Sequence, residues 1–153
     1  VPAQSLILRL ALPSPLHRLF DYLPPPSARI DSLQPGIRLR VPFGRRQMVG
    51  VLVEVVSHSD IAPAKLKAAL EVLDEQPIIP SSLLRLCCFA ASYWQHSLGD
   101  SLSGALPLLL RQGEPAQRWQ EPFWQVAQQA SVDDPRLARA PRQRQVLQVL
   151  SQH

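Results

Sequence analysis

Ile37-Arg38-Leu39-Arg40-Val41-Pro42-Phe43-Gly44-Arg45-Arg46-Gln47-Met48-Val49-Gly50-Val51-Leu52-Val53-Glu54-Val55-Val56 is the stretch that decides the fold class. Ile37 to Val41 alternates apolar and basic residues. Ile37, Leu39 and Val41 are expected to face inward, with Arg38 and Arg40 facing out. Pro42 to Gln47 reads as a basic turn. Met48 to Val56 reads as a long strand, with Gly50 a bulge or a point of close approach.

Two further strands lie upstream. Ser5 to Leu12 is apolar, but Arg9 shares a face with Ser5 and Ile7, so the alternation is imperfect. This segment carries no basic run ahead of it and reads as a strand rather than a signal peptide. Leu19 to Leu23 places Phe20 and Tyr22 on one face and Asp21 on the other, and Pro24-Pro25-Pro26 stops it. Leu33-Gln34-Pro35-Gly36 is a turn signal. Four short strands in the first 56 residues predict a small antiparallel, barrel-like subdomain of the OB type. Lys67 to Asp74 fits either a helix or a closing strand. Ser81 to His96 is the clearest helix: Pro80-Ser81-Ser82 supplies an N-cap, and Leu83, Leu84, Cys87, Ala90, Ala91 and Trp94 form its core stripe. Leu98 to Ala105 predicts a second helix, begun near Gly99-Asp100 and stopped by Pro107. The fold class is therefore α+β.

Composition shifts after Gln112-Gly113-Glu114-Pro115. Residues 117–140 are rich in Gln, Trp and Pro, and Pro141 to Gln152 has the spacing of a short amphipathic helix carrying Val146, Leu147 and Leu150 on one side. The expected division is 1–116 and 117–153, the second part being the start of a further domain in a longer protein.

The chain carries 16 Lys and Arg against 12 Asp and Glu, with a net charge of +4. Residues 1–50 hold seven arginines against two aspartates, whereas residues 51–116 are net acidic. Positive potential gathered in the first third fits a polyanionic partner. No apolar run approaches the roughly 18 residues of a membrane span. Cys87 and Cys88 are adjacent and read as reduced helix thiols, at least one of them buried, which suits an intracellular chain. No Cys-x-x-Cys spacing exists, so no metal site is expected. Phosphate-loop and dinucleotide glycine patterns are missing. The histidines are scattered, and His17 near Asp21 makes no catalytic constellation. No catalytic residues and no cofactor are expected.

Two stretches carry the information on function. Phe20-Asp21-Tyr22 is either an amphipathic strand or an aromatic floor for a base with an acid at its lip. Arg38 to Arg46 is either a polar strand face with a charged turn or a basic patch enclosing an aromatic, the composition of a nucleic-acid groove. Gly44 would let a ligand approach the backbone.

These residues resemble a known family. Leu19-Phe20-Asp21-Tyr22-Leu23 is followed in order by Arg38-x-Arg40-Val41-Pro42-Phe43-Gly44. Then come Leu66-Lys67-Ala68 with Glu71-Val72-Leu73-Asp74, Ala91-x-Tyr93, Gly99-Asp100, Ala105-Leu106-Pro107 and Leu110-Arg111-Gln112-Gly113. Over about residues 4–116, and weakly beyond, the chain resembles the N-terminal region of the PriA family, bacterial replication-restart helicases also called primosomal protein N'. The resemblance implies a module that binds the free 3' end of the nascent leading strand at an abandoned fork, followed by a winged-helix domain of which 117–153 would be the truncated start. The ATP-dependent 3'-5' motor, with its Mg, and the zinc-binding region of the full-length family would lie outside this chain. The implied DNA-binding residues are Phe20, Asp21, Gly44 and Lys67, with Arg38, Arg40, Arg45 and Arg46 either extending a phosphate track or forming a solvated face. The implied partners are forked DNA, the remaining helicase domains, single-stranded DNA-binding protein and other primosome proteins, with no membrane. The implied location is the bacterial cytoplasm, at the nucleoid.

A carboxylate suits a ligand that offers donors, and a free 3'-hydroxyl is one. Strand alternation, however, separates Phe20 from Asp21. Where the family tends to have further aromatic or histidine residues, this chain has Trp94-Gln95-His96 after Tyr93; Tyr93, Trp94 and His96 are expected as core or domain-packing residues. The alternatives to end recognition are a generic single-strand-binding barrel and a protein-interaction module using the Leu83–Trp94 helix.

Overall fold

The computed structural model describes residues 6–116, 126, 131 and 133–151. The chain divides into two compact units, Val1–Gln117 and Arg118–His153.

In the first unit five strands form one antiparallel sheet: β1 (Ile7–Ala11), β2 (Phe20–Tyr22), β3 (Arg38–Phe43), β4 (Arg46–Val56) and β5 (Glu71–Val72). Their order is β2-β1-β4-β3-β5. The alternation of 37–56 is realised as a β3–β4 hairpin in which Phe43 pairs with Arg46, so the turn has only two residues. Gly44, its first residue, has φ 59°, the conformation that a type II' hairpin turn asks of glycine. Gly50 is a close-approach point against Leu10, Ala11 and Leu12. The bulge falls instead at Val53, where the β1–β4 register shifts between Arg9 and Leu10.

The expected barrel is an open sheet. Among the described residues its edges β2 and β5 are joined by a single parallel bridge, Leu23 with Ala68. Three prolines after Leu23 have no N–H to extend a ladder, and β5 has only two residues. Lys67 to Asp74 is not helical and contains β5.

Two apolar clusters flank the sheet. Leu8, Leu10, Tyr22, Leu39, Val41 and Leu52 pack on one side, while Ala11, Val51, Ile79, Leu84, Cys87 and Leu102 pack on the other. β1 is thus covered on both faces, which explains its imperfect alternation. The second cluster is capped by α1 (Ser81–Tyr93) and α2 (Leu98–Ala105), followed by the single turn α3 (Leu108–Arg111). Pro80, not a serine, is the α1 N-cap, and no side chain caps it. Leu84, Cys87 and Ala91 form the buried stripe as expected. Trp94 does not join it: it is the C-cap residue and is 73% exposed. Tyr93 and His96 are exposed too. The helix ends there because Gln95 turns the chain with a φ of 50°. Burial raises the pKa of both the Cys87 and the Cys88 thiol.

Ser97 caps α2 by accepting from the Asp100 N–H. Gly99, two residues on, lets the helix touch β1's exit: a Cβ there would collide with the backbone of Leu12. Backbone cannot move aside as a flexible side chain can. Gly99→Ala is therefore expected to destabilise the unit by about 1–3 kcal/mol or somewhat more, read as a lowered urea midpoint with an unchanged slope.

The second unit is described for residues 126, 131 and 133–151. It holds a 3-10 turn at Pro135–Leu137 and one helix, α4 (Pro141–Leu150). Arg136 beside Asp134 lowers that carboxyl to about 2. Most of the Trp- and Gln-rich stretch expected ahead of this helix, and Ser5 of the first strand, lie outside the described residues.

Candidate nucleic-acid interface

β2 is an edge strand, and the sequence dictates which side chains it presents to each face. Phe20 and Tyr22 pair with Leu10 and Leu8 of β1 and share their apolar face. Phe20 meets Phe43 edge to face at 5.3 Å, and the Arg18 guanidinium lies 5.0 Å from the Phe20 ring centre. Tyr22 donates its hydroxyl to the Pro42 carbonyl at 3.0 Å, tying β2 to the β3–β4 hairpin. Burial raises the Tyr22 pKa.

Asp21 points to the other face, as alternation requires. There Arg9 stands directly opposite Asp21 on one side and Glu54 on the other. Arg9 binds Asp21 Oδ1 at 3.2 Å and Glu54 at 3.3 Å. The hydrogen bond to Glu54 is the first cause of a raised Arg9 pKa. The Asp21 side chain is only 11% exposed, and among the described residues its Oδ2 has no hydrogen-bond partner.

The segment that carries Lys67 is drawn to the same edge. Leu23 donates its N–H to the Lys67 carbonyl, and Ala69 donates back to Leu23, both at 2.9 Å. The result is a cavity of about 320 Å³ where β2, the hairpin turn and residues 61–67 meet. Phe20, Asp21, Gly44 and Lys67 all line it. Asp21 and Lys67, 46 positions apart in sequence, share one pocket. At an edge strand residues of either face can border one cavity, so alternation and shared lining coexist. Among the described residues nothing stands within 4 Å of a Cβ position at Gly44, so the turn backbone is open to an incoming group.

The four arginines do not line this pocket. Arg38, expected on the outer face, is 0% exposed. Its guanidinium takes both carboxylate oxygens of Asp74, at 2.9 and 2.6 Å, and donates to the carbonyls of Leu110 and Glu114. Asp74 also accepts from the Arg38 backbone N–H at 2.8 Å. The outer face at that point is covered by the chain leaving α3, which strand alternation alone does not reveal. Arg40 is half-buried and paired to Glu71 at 2.6 Å. Arg45 and Arg46 are exposed at the hairpin tip.

Sequence reasoning missed Arg9, Arg18 and Lys65. The last two line the pocket, which therefore carries three cations, Arg18, Lys65 and Lys67, against the single carboxylate of Asp21. The spacing Lys65-x-Lys67 was the available signal for one of them. For Arg9 the signal was its position inside an apolar strand, where a charge needs a partner.

A family model described as the 3' DNA-binding domain (3'BD) of PriA matches residues 9–107. The replication restart protein PriA of Haemophilus influenzae is 39% identical over 148 residues, 95% of this chain and 20% of that protein. PriA of Buchnera aphidicola is 24% identical over 69% of the chain and 14% of its own length. A probable replication restart protein PriA of Mycobacterium tuberculosis is 35% identical over 60% of the chain and 14% of its own length. The chain thus spans a fifth or less of the curated relatives it matches.

Proposed function

The chain belongs to the 3' DNA-binding domain family of PriA, and from that premise we propose that it binds the free 3'-hydroxyl end of nascent leading-strand DNA at stalled or abandoned replication forks. The observation that carries this reading is the meeting of Phe20, Asp21, Gly44 and Lys67 in one small pocket. In it Phe20 packs beside the terminal base, Asp21 accepts from the 3'-hydroxyl through Oδ2, and the Gly44 backbone lies against the nucleotide. Lys67 holds a phosphate or base edge. The chemistry read is the end group, so base identity is tolerated.

On this reading the chain serves as the DNA-end module of a larger helicase and has no motor of its own. A winged-helix domain is proposed to follow the first unit. Single-stranded DNA-binding protein and other primosome proteins are its expected partners, at the bacterial nucleoid. Among the described residues no helix is long and apolar enough to cross a membrane.

The test is a titration of the chain with two forks that differ only in a 3'-hydroxyl or a 3'-phosphate on the nascent strand. Tighter binding of the hydroxyl fork is expected. Equal affinity would leave a generic single-strand-binding module as the better reading.

A further inference from the structure

Next to the end pocket lies a second cleft of about 420 Å³, between the loop leading into β2 and the C-terminal half of α1. The two cavities share Arg18 and Leu19 in their linings. Arg18 is exposed and its guanidinium lies over the Phe20 ring, so it stands on the ridge between them. Beyond that ridge the cleft presents His17 from the loop and Ser92, Gln95 and His96 from the end of α1. Each of these can donate a hydrogen bond, and no Asp or Glu lines the cleft. A groove of about 750 Å³ between the 27–34 segment and β5 is the opposite case. It is lined by Asp31, Glu71, Asp74 and Glu75 with Arg29; Arg38 pairs with Asp74 and Arg40 with Glu71, which leaves Asp31 and Glu75 without an ion-pair partner among the described residues. A phosphodiester leaving the end pocket is repelled from that groove and drawn over Arg18.

We propose that this second cleft is a subsite for the DNA backbone next to the terminal nucleotide. Arg18 supplies the charge at its entrance, and the His17–Ser92–His96 wall supplies the hydrogen bonds. The inference rests on the end pocket being the site of the 3' terminus, and it adds the direction in which the strand leaves. The phosphate belongs either to the same strand or to the strand paired with it. Single-stranded and forked probes separate those sources.

The experiment measures binding of a 5'-labelled oligothymidylate with a free 3'-hydroxyl, and of a fork with the same end, across a salt series. Ser92 is exposed and its hydroxyl makes no hydrogen bond among the described residues. Ser92→Asp is expected to weaken binding by up to about fivefold, the scale of one exposed charge contact. Ser92→Lys is expected to strengthen binding and steepen the salt dependence by about 0.7 in logarithmic slope for a single strand. Ser27→Asp makes the same charge change in the acidic groove and should have the smaller effect. An effect on both probes assigns the phosphate to the same strand, and an effect on the fork alone assigns it to the paired strand. Equal effects of Ser27→Asp and Ser92→Asp, or none from either Ser92 variant, would overturn the subsite. The preference for a 3'-hydroxyl over a 3'-phosphate should survive in every variant. If wild type lacks that preference, the end-pocket reading fails separately.

Discussion

Asp21→Ala is expected to cost the chain about ten- to a hundredfold in affinity for a fork with a free 3'-hydroxyl, the scale of about 1.5–3 kcal/mol for one hydrogen bond to a charged group. Binding to the matching 3'-phosphate fork should stay level or rise. Two charges explain the opposite signs. Removing the carboxylate removes both the acceptor for a hydroxyl and the repulsion felt by a phosphate. It also releases Arg9 from one of its two carboxylate partners, leaving Glu54 as the other. A cation freed beside the pocket favours the terminal phosphate. Preference between the two ends should therefore narrow or reverse. Paired titrations at one salt concentration read it directly, because general electrostatic effects act on both forks alike. A parallel loss on both forks would mean that Asp21 shapes the pocket without reading the end.

Arg38→Met is expected to be the most destabilising change in the first unit, by about 3–5 kcal/mol. The arginine is fully buried, and its removal strands three acceptors at once: the Asp74 carboxylate and the carbonyls of Leu110 and Glu114. A buried, unpaired carboxylate is among the costliest groups a core can hold. A domain of this size has only about 5–15 kcal/mol in total, so the variant should unfold at markedly lower urea or temperature. Arg40→Ala is the matched contrast two residues away. Its partner Glu71 is exposed, and the loss should stay within about 1 kcal/mol. Equilibrium urea unfolding of both variants decides the matter: similar midpoints would show that the Arg38–Asp74 pair does not hold the chain leaving α3 against β3. Where Arg38→Met remains folded, its DNA affinity should stay close to wild type, since Arg38 is enclosed rather than presented to a ligand.

Local pattern and tertiary context divide the rest between them. The two strands of 37–56, a short strand within Leu19–Leu23 and the cap-to-stop span of α2 were legible because alternation, proline breaks and helix spacing are local properties; the turn expected at Pro42 to Gln47 is shorter, since Pro42, Phe43, Arg46 and Gln47 pair within the hairpin. So was the basic bias of the first third; Phe20, Asp21, Gly44 and Lys67 came from the family resemblance, and the fold brings the four to one pocket. Three things were not legible. Arg38 looks like Arg40 in sequence, yet one is enclosed and the other half-exposed, because only the fold brings residues 110–114 across β3. Trp94 fits the apolar stripe of α1 on paper, yet the helix ends before it. The barrel implied by strand count stays open, because closure depends on lengths at two distant edges.

What the sequence determined by itself about Phe20 and Asp21 was their opposition across β2, a consequence of backbone geometry that no packing can undo. What the tertiary structure decided was that β2 lies at the edge of the sheet, with Lys67 bridged to its end and the Gly44 turn beside it. A central strand would have kept the two faces apart. At an edge, a single cavity reaches both.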